Sequence, residues 1–400
     1  MTLDVNKPRL LNHIQRIIVV GFLSLVVLLT WTPGISYGRQ PSQRNFCNWS
    51  DRSINTTRLP QLMKEMGFKP PARFRALLVR VELDRKANLI SKMNLYAYGT
   101  SATRVDGWNP ASTIKLYAAV SALERLNELG YGPKTTVTFH YPRGDKKISL
   151  QKLLEEDLHK SDNIAHNRMV QLAGFDYLNG PRGTLRRAGM RDSAILRAYA
   201  QSQWEAEGNS KILRASPRIT LQQPKSGRYS AKKNVLPEST GTAKVKCQSA
   251  ACTSLSDLGK MMCHLMLHEQ LPQRHRLKLG TGPNQSPMLA FFRQRLNRVR
   301  DANDGVWLAL ERHLIPKSQR GQPSKGSYQL FRKAGFSQDW LSDNIYVYQP
   351  HSKVRWIVVM AAYPGRKSLD QAADIIARII KDDLVLKSPK KRTNSPKKAQ

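Results

Sequence analysis

The chain has 400 residues, of which 40% are apolar, and this is enough for a substantial buried core in one large domain or two smaller ones. Disorder of the whole chain is therefore excluded. The 65 Lys and Arg outnumber the 29 Asp and Glu, and the formal net charge of +36 predicts attraction to anionic polymers. The four cysteines lack metal-binding spacing, so neither a metal nor a cofactor is expected.

The N-terminus has the pattern of an export segment. Basic residues precede the apolar run 17–31, and Ser36-Tyr37-Gly38 offers small residues for cleavage. The run is short for a bilayer span, which usually needs ~20 residues. Residues 1–38 are predicted to be a signal peptide, with an N-terminal membrane anchor as the alternative. Both place the rest of the chain outside the cytoplasm, in the periplasm or beyond the cell. Disulfides can persist there, and Cys247 and Cys252 are close enough to close a small loop, but the pairing stays open.

Outside the cytoplasm, the positive charge predicts contact with anionic envelope polymers or a membrane surface rather than with nucleic acid. Residues 387–400 are basic, lack apolar periodicity and are predicted to be a disordered tail. The tail either tethers the protein to anions or serves only solubility. A monomer is expected.

A globular pattern of strands and helices begins at Phe74. In chain order the predicted elements are strands at 76–83 and 93–99, helices at 114–126, 150–158 and 163–174, long loops over 199–246, a helix at 254–271, strands at 329–336, 345–349 and 354–363, and a helix at 368–384. This order predicts an α+β fold. The N- and C-terminal strands would form one antiparallel sheet, flanked by helices, with a mostly helical middle region. The domain is predicted to span 74–386, after an N-terminal extension at 39–73.

Ser112 and Lys115 are the candidate nucleophile and its activating base. A serine hydroxyl needs a nearby base, and a lysine three residues later on a helix lies on the same face. The S-x-x-K spacing also occurs in polar segments, so the spacing alone says little. Ser112, however, opens an apolar helix that would carry Lys115 toward the interior, where loss of solvent favours the neutral amine.

The run Asn109–Leu126, NPASTIKLYAAVSALERL, resembles the S-x-x-K helix of class A β-lactamases and penicillin-binding proteins, whose other elements are S-D-N and K-T-G. Ser161-Asp162-Asn163 supplies the second element. A second copy, Ser342-Asp343-Asn344, is discounted because it follows the last plausible K-x-G at a strand entrance. The resemblance covers residues 74–384 and implies a β-lactamase/transpeptidase-like fold.

The third element has two candidates. Lys333-Ala334-Gly335 lies in a predicted strand but has Ala334 in place of the hydroxyl residue, with Ser337 as the candidate substitute. Lys225-Ser226-Gly227 matches the motif better by letter but lies in a basic loop. Lys333 is preferred because its role needs a rigid strand beside the nucleophile.

The resemblance implies a role for each matching residue. Ser112 would attack the carbonyl, Lys115 would take its proton, and Ser161 would pass a proton to the leaving nitrogen. Asn163 and Lys333 would bind the side-chain amide and the carboxylate of the substrate. Finally, Gly335 and Phe336 would bind the substrate from the same strand as Lys333. The backbone N–H groups of Ser112 and Phe336 would form the oxyanion hole.

The segment 204–209, WEAEGN, resembles the loop that carries the deacylating glutamate of class A β-lactamases, which makes Glu205 the candidate base. An ordinary solvated loop glutamate is the alternative. The expected activity is hydrolysis of β-lactam amides through an acyl-serine intermediate. The alternatives are a D-alanyl-D-alanine peptidase or other enzyme acting on peptidoglycan stem peptides, and a non-catalytic cationic envelope-binding protein on the same fold.

Overall fold

The computed structural model describes residues 45–84, 88–99, 108–247, 249–280, 287–296, 305–319, 328–337, 340–364 and 366–386. All of them fall in one compact unit, Asn45–Gln400. The predicted export segment 1–38 and basic tail 387–400 lie outside the described residues. Within the described residues, no helix is long and apolar enough to cross a membrane.

Fourteen strands are present in the described part of the chain. They are β1 Ile54–Asn55, β2 Arg75–Leu83, β3 Ile90–Tyr98, β4 Thr136–Tyr141, β5 Gly144–Ser149, β6 Ala194–Ile195, β7 Ala215–Ser216, β8 Arg218–Gln223, β9 Lys232–Leu236, β10 Ser239–Thr240, β11 Ala251–Cys252, β12 Gln329–Ser337, β13 Trp340–Tyr348 and β14 Val354–Ala362.

The α-helices of the same residues are α1 Arg58–Glu65, α2 Lys115–Glu128, α3 Leu150–Leu154, α4 Asn163–Ala173, α5 Phe175–Asn179, α6 Thr184–Arg187, α7 Gln201–Ala206, α8 Leu255–Met266, α9 Pro287–Leu296, α10 Gly305–Leu314 and α11 Arg366–Asp382. A turn of π-helix, Glu155–His159, follows α3.

The main sheet has six strands in the order β1-β3-β2-β14-β13-β12. All neighbours pair antiparallel except the short β1, which is parallel to β3. The predicted α+β fold, with N- and C-terminal strands in one sheet, is confirmed. This order places β12 at one edge of the sheet, where it pairs with β13.

The central strands are buried on both faces of this sheet. Along β2, Leu77 and Val79 pack into one hydrophobic cluster with α2 and α8, while Leu78 packs into a second cluster with α10 and α11. Strands covered on both faces read as continuous apolar runs, which explains the sequence of β2. The sheet is therefore the middle layer between two helical layers.

Residues 45–73, which the prediction sets apart as an extension, pack on the same unit. Three residues of α1, Leu59, Leu62 and Met63, join the second cluster. Cys47 forms a disulfide with Cys263 of α8, and the other two cysteines pair as Cys247–Cys252.

The prediction of long loops over 199–246 is wrong. This stretch contains α7 and strands β7 to β10, and β8 and β9 complete a second antiparallel sheet in the order β5-β4-β8-β9. Only one face of this sheet is buried: Ile219 and Leu221 of β8 point to the core, while Arg218 and Gln222 are exposed. Half-buried strands this polar carry a weak apolar signal, so the sequence pattern resembles a loop.

Candidate active site

Ser112 lies in a 3₁₀ turn, Ala111–Ile114, that leads directly into α2. Ala111 has a φ of 46°, a left-handed conformation that is strained for a residue with a side chain. Asn109 holds this turn, because its Oδ1 accepts from the backbone N–H of Ala111 at 2.9 Å and its Nδ2 donates to Ser337 Oγ of β12 at 3.0 Å. The nucleophile candidate thus sits on a strained turn fixed between a buried helix and an edge strand.

Lys115 is the first residue of α2, and its side chain is fully buried. Its Nζ donates to the carbonyl oxygens of Ser161 and Asp162, the latter at 2.9 Å, and to Asn163 Oδ1 at 3.0 Å. Burial lowers the pKa of Lys115 to about 8, although the carboxylates of Asp157 and Asp162 oppose this shift. The amine can therefore lose its proton close to neutral pH.

Lys333 reaches the same place from β12. Its side chain is buried, and its Nζ donates to Ser161 Oγ at 2.9 Å. Burial, and then the positive charge of Lys115, lower the pKa of Lys333 to about 7. Ser161 itself has a φ of 59° and contacts both lysines, one through its carbonyl oxygen and one through its hydroxyl. The structure thus brings Lys115, Ser161, Asn163 and Lys333 together.

Strand β12 packs against the turn that carries Ser112. Gly335 lies against the backbone of that turn. Side chains alternate along a strand, so Ala334 and Phe336 share the opposite face, where Phe336 is 57% exposed. Ser337 lies on the Gly335 face and accepts its hydrogen bond from Asn109. Ser337 is therefore not placed to replace the hydroxyl missing at Ala334.

The discounted motif copies lie elsewhere. Ser342-Asp343-Asn344 is buried within β13, where Asn344 Nδ2 donates to the carbonyl oxygen of Leu258 at 2.9 Å and Asp343 pairs with Arg332. Residues 225–227 form part of the connection between β8 and β9, in the second sheet, and Lys225 is exposed.

Glu205 is not brought into this cluster. It lies on α7 with a side chain that is 36% exposed, accepts from Gln201 Nε2 at 3.0 Å and lies 3.7 Å from Lys211 Nζ. Among the residues that the structure describes, no hydrogen bond joins Glu205 to Ser112 or Lys115.

A tyrosine that the sequence did not single out lies beside the nucleophile turn instead. Tyr199 Oη is 3.4 Å from the carbonyl oxygen of Ala111, and its ring lies 5.4 Å from that of His166. Asn167 of α4 holds the Tyr199 backbone, donating to its carbonyl oxygen at 2.7 Å and accepting from its N–H at 3.0 Å. Burial raises the pKa of Tyr199, so the phenol stays protonated. The position of Tyr199 depends on its pairing with Asn167, which is distant in the sequence, so no local motif predicts it.

Residues 105–279 match the model of the β-lactamase enzyme family (Beta-lactamase2). This segment contains the Ser112 turn, Lys115, Ser161 and Asn163, and it ends before β12. No curated protein sequence matches the chain.

Three solved structures are similar to this chain. The structure of PBP-A is 14% identical with a TM-score of 0.50 and covers 82% of this chain and 97% of its own. A class A β-lactamase from Bacteroides cellulosilyticus DSM 14838 is 13% identical with a TM-score of 0.46, covering 82% and 97%. A β-lactamase from Sphaerobacter thermophilus DSM 20745 is 12% identical with a TM-score of 0.46, covering 83% and 98%.

The fold and the family match together define the class of the protein, which is a serine hydrolase. More particularly, it is β-lactamase-like: residues 105–279 match the model of the β-lactamase enzyme family, and the fold resembles that of PBP-A.

Proposed function

We propose that Ser112 is acylated by amide substrates, including β-lactams, and that the resulting acyl-enzyme is long-lived. One observation carries the proposal: Ser161 contacts two buried lysines, Lys115 and Lys333, in a cluster next to the turn that bears Ser112. A buried ammonium group destabilises the folded state unless the group is paired with a negative charge. Two such groups at one place therefore indicate that they serve the reaction. Their convergence on one serine, Lys115 at its carbonyl oxygen and Lys333 at its hydroxyl, fits proton transfer better than a purely structural role.

In the proposed step, Ser112 Oγ attacks the substrate carbonyl carbon and gives its proton to neutral Lys115. The carbonyl oxygen becomes an oxyanion beside the N–H groups of Ser112 and Phe336. The C–N bond then breaks, and the departing nitrogen takes a proton from Ser161 Oγ, which is replenished from the lysine pair. Lys333 supplies positive charge for the substrate carboxylate. An acyl ester on Ser112 and a free amine result.

Slow release follows from the residue that contacts the Ser112 turn. Water attack on the ester needs a base, and the side chain of the 199–209 segment that reaches this turn is the protonated phenol of Tyr199 rather than a carboxylate. Glu205 is paired with Gln201 and Lys211. This arrangement favours a peptidoglycan-directed enzyme, such as a D-alanyl-D-alanine peptidase, over efficient β-lactam hydrolysis.

We also propose that the protein acts outside the cytoplasm, in the periplasm or at the cell envelope. All four cysteines are paired in disulfides, which persist in oxidising compartments. The net charge of +36 would hold the protein near anionic envelope polymers. Binding to anionic vesicles or murein should then weaken as salt is added.

A fluorescent penicillin tests acylation. The full-length chain should be labelled with a one-to-one adduct that survives gel electrophoresis, and Ser112→Ala should remove the label. Equal labelling of wild type and Ser112→Ala would instead support the alternative hypothesis of a non-catalytic envelope-binding protein. Intact mass spectrometry over hours measures the adduct's lifetime, and loss of the adduct within seconds would identify an efficient β-lactamase.

A further inference from the structure

Asp157 and His166 form a buried pair that the proposed reaction does not yet use. Asp157 lies in the π-helical turn Glu155–His159 and His166 on α4, and neither side chain is exposed at all. Asp157 Oδ1 is 3.7 Å from His166 Nδ1, too far for a hydrogen bond. π-Helical turns often occur at functional sites.

Neither group has a conventional partner. No described residue donates a hydrogen bond to either carboxylate oxygen of Asp157, and neither ring nitrogen of His166 is hydrogen-bonded. A buried carboxylate without hydrogen bonds is strongly destabilising unless nearby positive charge compensates it.

The compensating charges are the two lysines of the site. The chain leaves the π-helical turn and reaches Ser161, whose carbonyl oxygen accepts from Lys115 and whose hydroxyl accepts from Lys333. Both ammonium groups interact electrostatically with Asp157. One buried carboxylate therefore stands on the turn that leads to the serine contacted by both buried amines.

The other charged groups around Asp157 have partners of their own. Asp162 is exposed and caps α4 by accepting from Ala165 N at 2.6 Å. On the same turn as Asp157, Glu155 pairs with Arg295 of α9 at 3.0 Å.

Three further pairs lie around these groups. The side chain of Glu156 lies 3.9 Å from Lys152, and that of His159 lies 4.0 Å from Glu155. Beside Lys333, Arg332 pairs with Asp343. Asp157 is the carboxylate of this group that acts on both lysines, whereas Asp162 acts on Lys115 and Asp343 acts on Lys333.

We propose that Asp157, with neutral His166 beside it, is a positioning residue that sets the charge of Lys115 and Lys333 and thereby the pH range in which Ser112 is acylated. The inference rests on the proposed function, because it requires Lys115 to accept the Ser112 proton. The negative charge of Asp157 favours the ammonium forms, which lets the pair keep one proton while the other is lost. The low pKa of His166, caused first by burial, agrees with a neutral ring.

The consequence has a definite sign. Asp157→Asn removes the negative charge, so the ammonium forms become less stable and the pKa of both lysines falls. The two amines then lose their first proton at lower pH, and the acid limb of the acylation profile moves down. They also lose their second proton at lower pH, so the alkaline limb moves the same way. Because the removed charge is buried, we expect both limbs of the profile to shift by about one pH unit.

The test measures the second-order rate constant for labelling by a fluorescent penicillin from pH 5 to 10, on full-length wild type, Asp157→Asn and Asp157→Ser. Glu156→Gln is the matched control. It removes the same charge from the neighbouring residue of the turn, whose carboxylate lies 3.9 Å from the exposed Lys152. We expect both Asp157 variants to shift downward and Glu156→Gln to keep the wild-type profile.

Folded Asp157 variants with the wild-type profile would overturn the inference, as would an equal shift in Glu156→Gln. If neither Asp157 variant folds, ¹³C NMR of wild-type protein labelled at aspartate carboxyl carbons decides. Burial raises the pKa of Asp157 to about 7, against the opposing effect of the two lysines. A carboxyl that titrates near neutral pH therefore supports the inference, whereas only ordinary aspartate titrations contradict it. Failure of the proposed function is distinct: wild type would not be labelled at Ser112 at any pH.

Discussion

Gly335 lies so close to the carbonyl oxygen of Pro110 that a Cβ built on the glycine would stand 2.6 Å from that oxygen. The same Cβ would be 2.9 Å from Thr113 N and 3.0 Å from Ser112 N. All three atoms belong to the backbone, so none can rotate away. The strand that carries Lys333 can approach the turn that carries Ser112 only because residue 335 has no side chain.

Gly335→Ala is therefore expected to push β12 and the Ser112 turn apart. Misplacement of a reacting group by about 1 Å can cost ~100-fold in rate, and overpacking destabilises a fold by about 1–3 kcal/mol. Penicillin labelling rates, corrected for the folded fraction from urea unfolding, measure both effects. Gly259→Ala is the control, because its Cβ would meet Leu77 Cδ2 and the ring of Trp49 at 3.2 Å, side chains that can adjust. Wild-type labelling by Gly335→Ala would show that the close approach is not needed.

The main parts of this site were accessible from the sequence because each lies in a local motif. The apolar helix after Ser112 predicts burial of Lys115, and the strand pattern around Lys333 distinguishes it from Lys225 in a basic segment. Tyr199 and Asp157 could not be found in this way. Their positions depend on backbone pairing with Asn167 and on a turn of π-helix, and neither leaves a periodic signal.

Lys115→Met should reduce acylation by about 10²–10⁴-fold, the usual contribution of a positioned base. Only the neutral amine can take the Ser112 proton. Burial lowers the pKa of Lys333 to about 7 and that of Lys115 to about 8, so the two neighbouring amines lose their protons in this range. The wild-type rate should therefore rise above pH 6 as the first proton leaves the pair, and fall above pH 8 as the second one leaves. Stopped-flow labelling across this pH range measures how the acylation rate depends on pH. A rate independent of pH between 6 and 8 would argue against Lys115 as the base.

Tyr199→Glu should shorten the lifetime of the acyl-enzyme. Tyr199 Oη lies 3.4 Å from the carbonyl oxygen of Ala111, the residue before Ser112, so a carboxylate at this position could activate water near the ester. A decrease of at least tenfold is expected, measured by intact mass after penicillin is removed. Glu205→Gln is the paired comparison and should leave the lifetime unchanged. If Glu205→Gln lengthens the lifetime and Tyr199→Glu does not alter it, Glu205 is the deacylating base after all.

The second sheet shows why the middle of the chain was harder to predict than its ends. In β2 and β14 both faces are buried, so apolar residues run continuously and the strand is evident. In β9, KKNVL, only Leu236 is buried, and the strand exists because it pairs with β8. Pairing between distant segments, rather than local composition, decides such edge strands.

Removal of the Cys47–Cys263 disulfide should lower the free energy of unfolding more than removal of Cys247–Cys252. The first bond joins residues 216 positions apart and the second only 5. In the chain-entropy account a cross-link restricts the unfolded chain more when it closes a longer loop, and losses of about 2–5 kcal/mol are typical. The long cross-link also keeps the segment around Trp49, whose Nε1 donates to Ser256 Oγ at 2.8 Å, against α8.

Urea unfolding of the two double Cys→Ala variants measures this difference, with Ser112→Ala as an additional reference that leaves both bonds intact. The Cys47/Cys263 variant should unfold at a clearly lower urea concentration than the Cys247/Cys252 variant, with a similar slope. Wild-type protein should also become less stable when a thiol reductant is added. Equal midpoints for the two double variants would mean that contacts of residues 45–73 with α8, rather than the covalent link, hold this end of the chain in place.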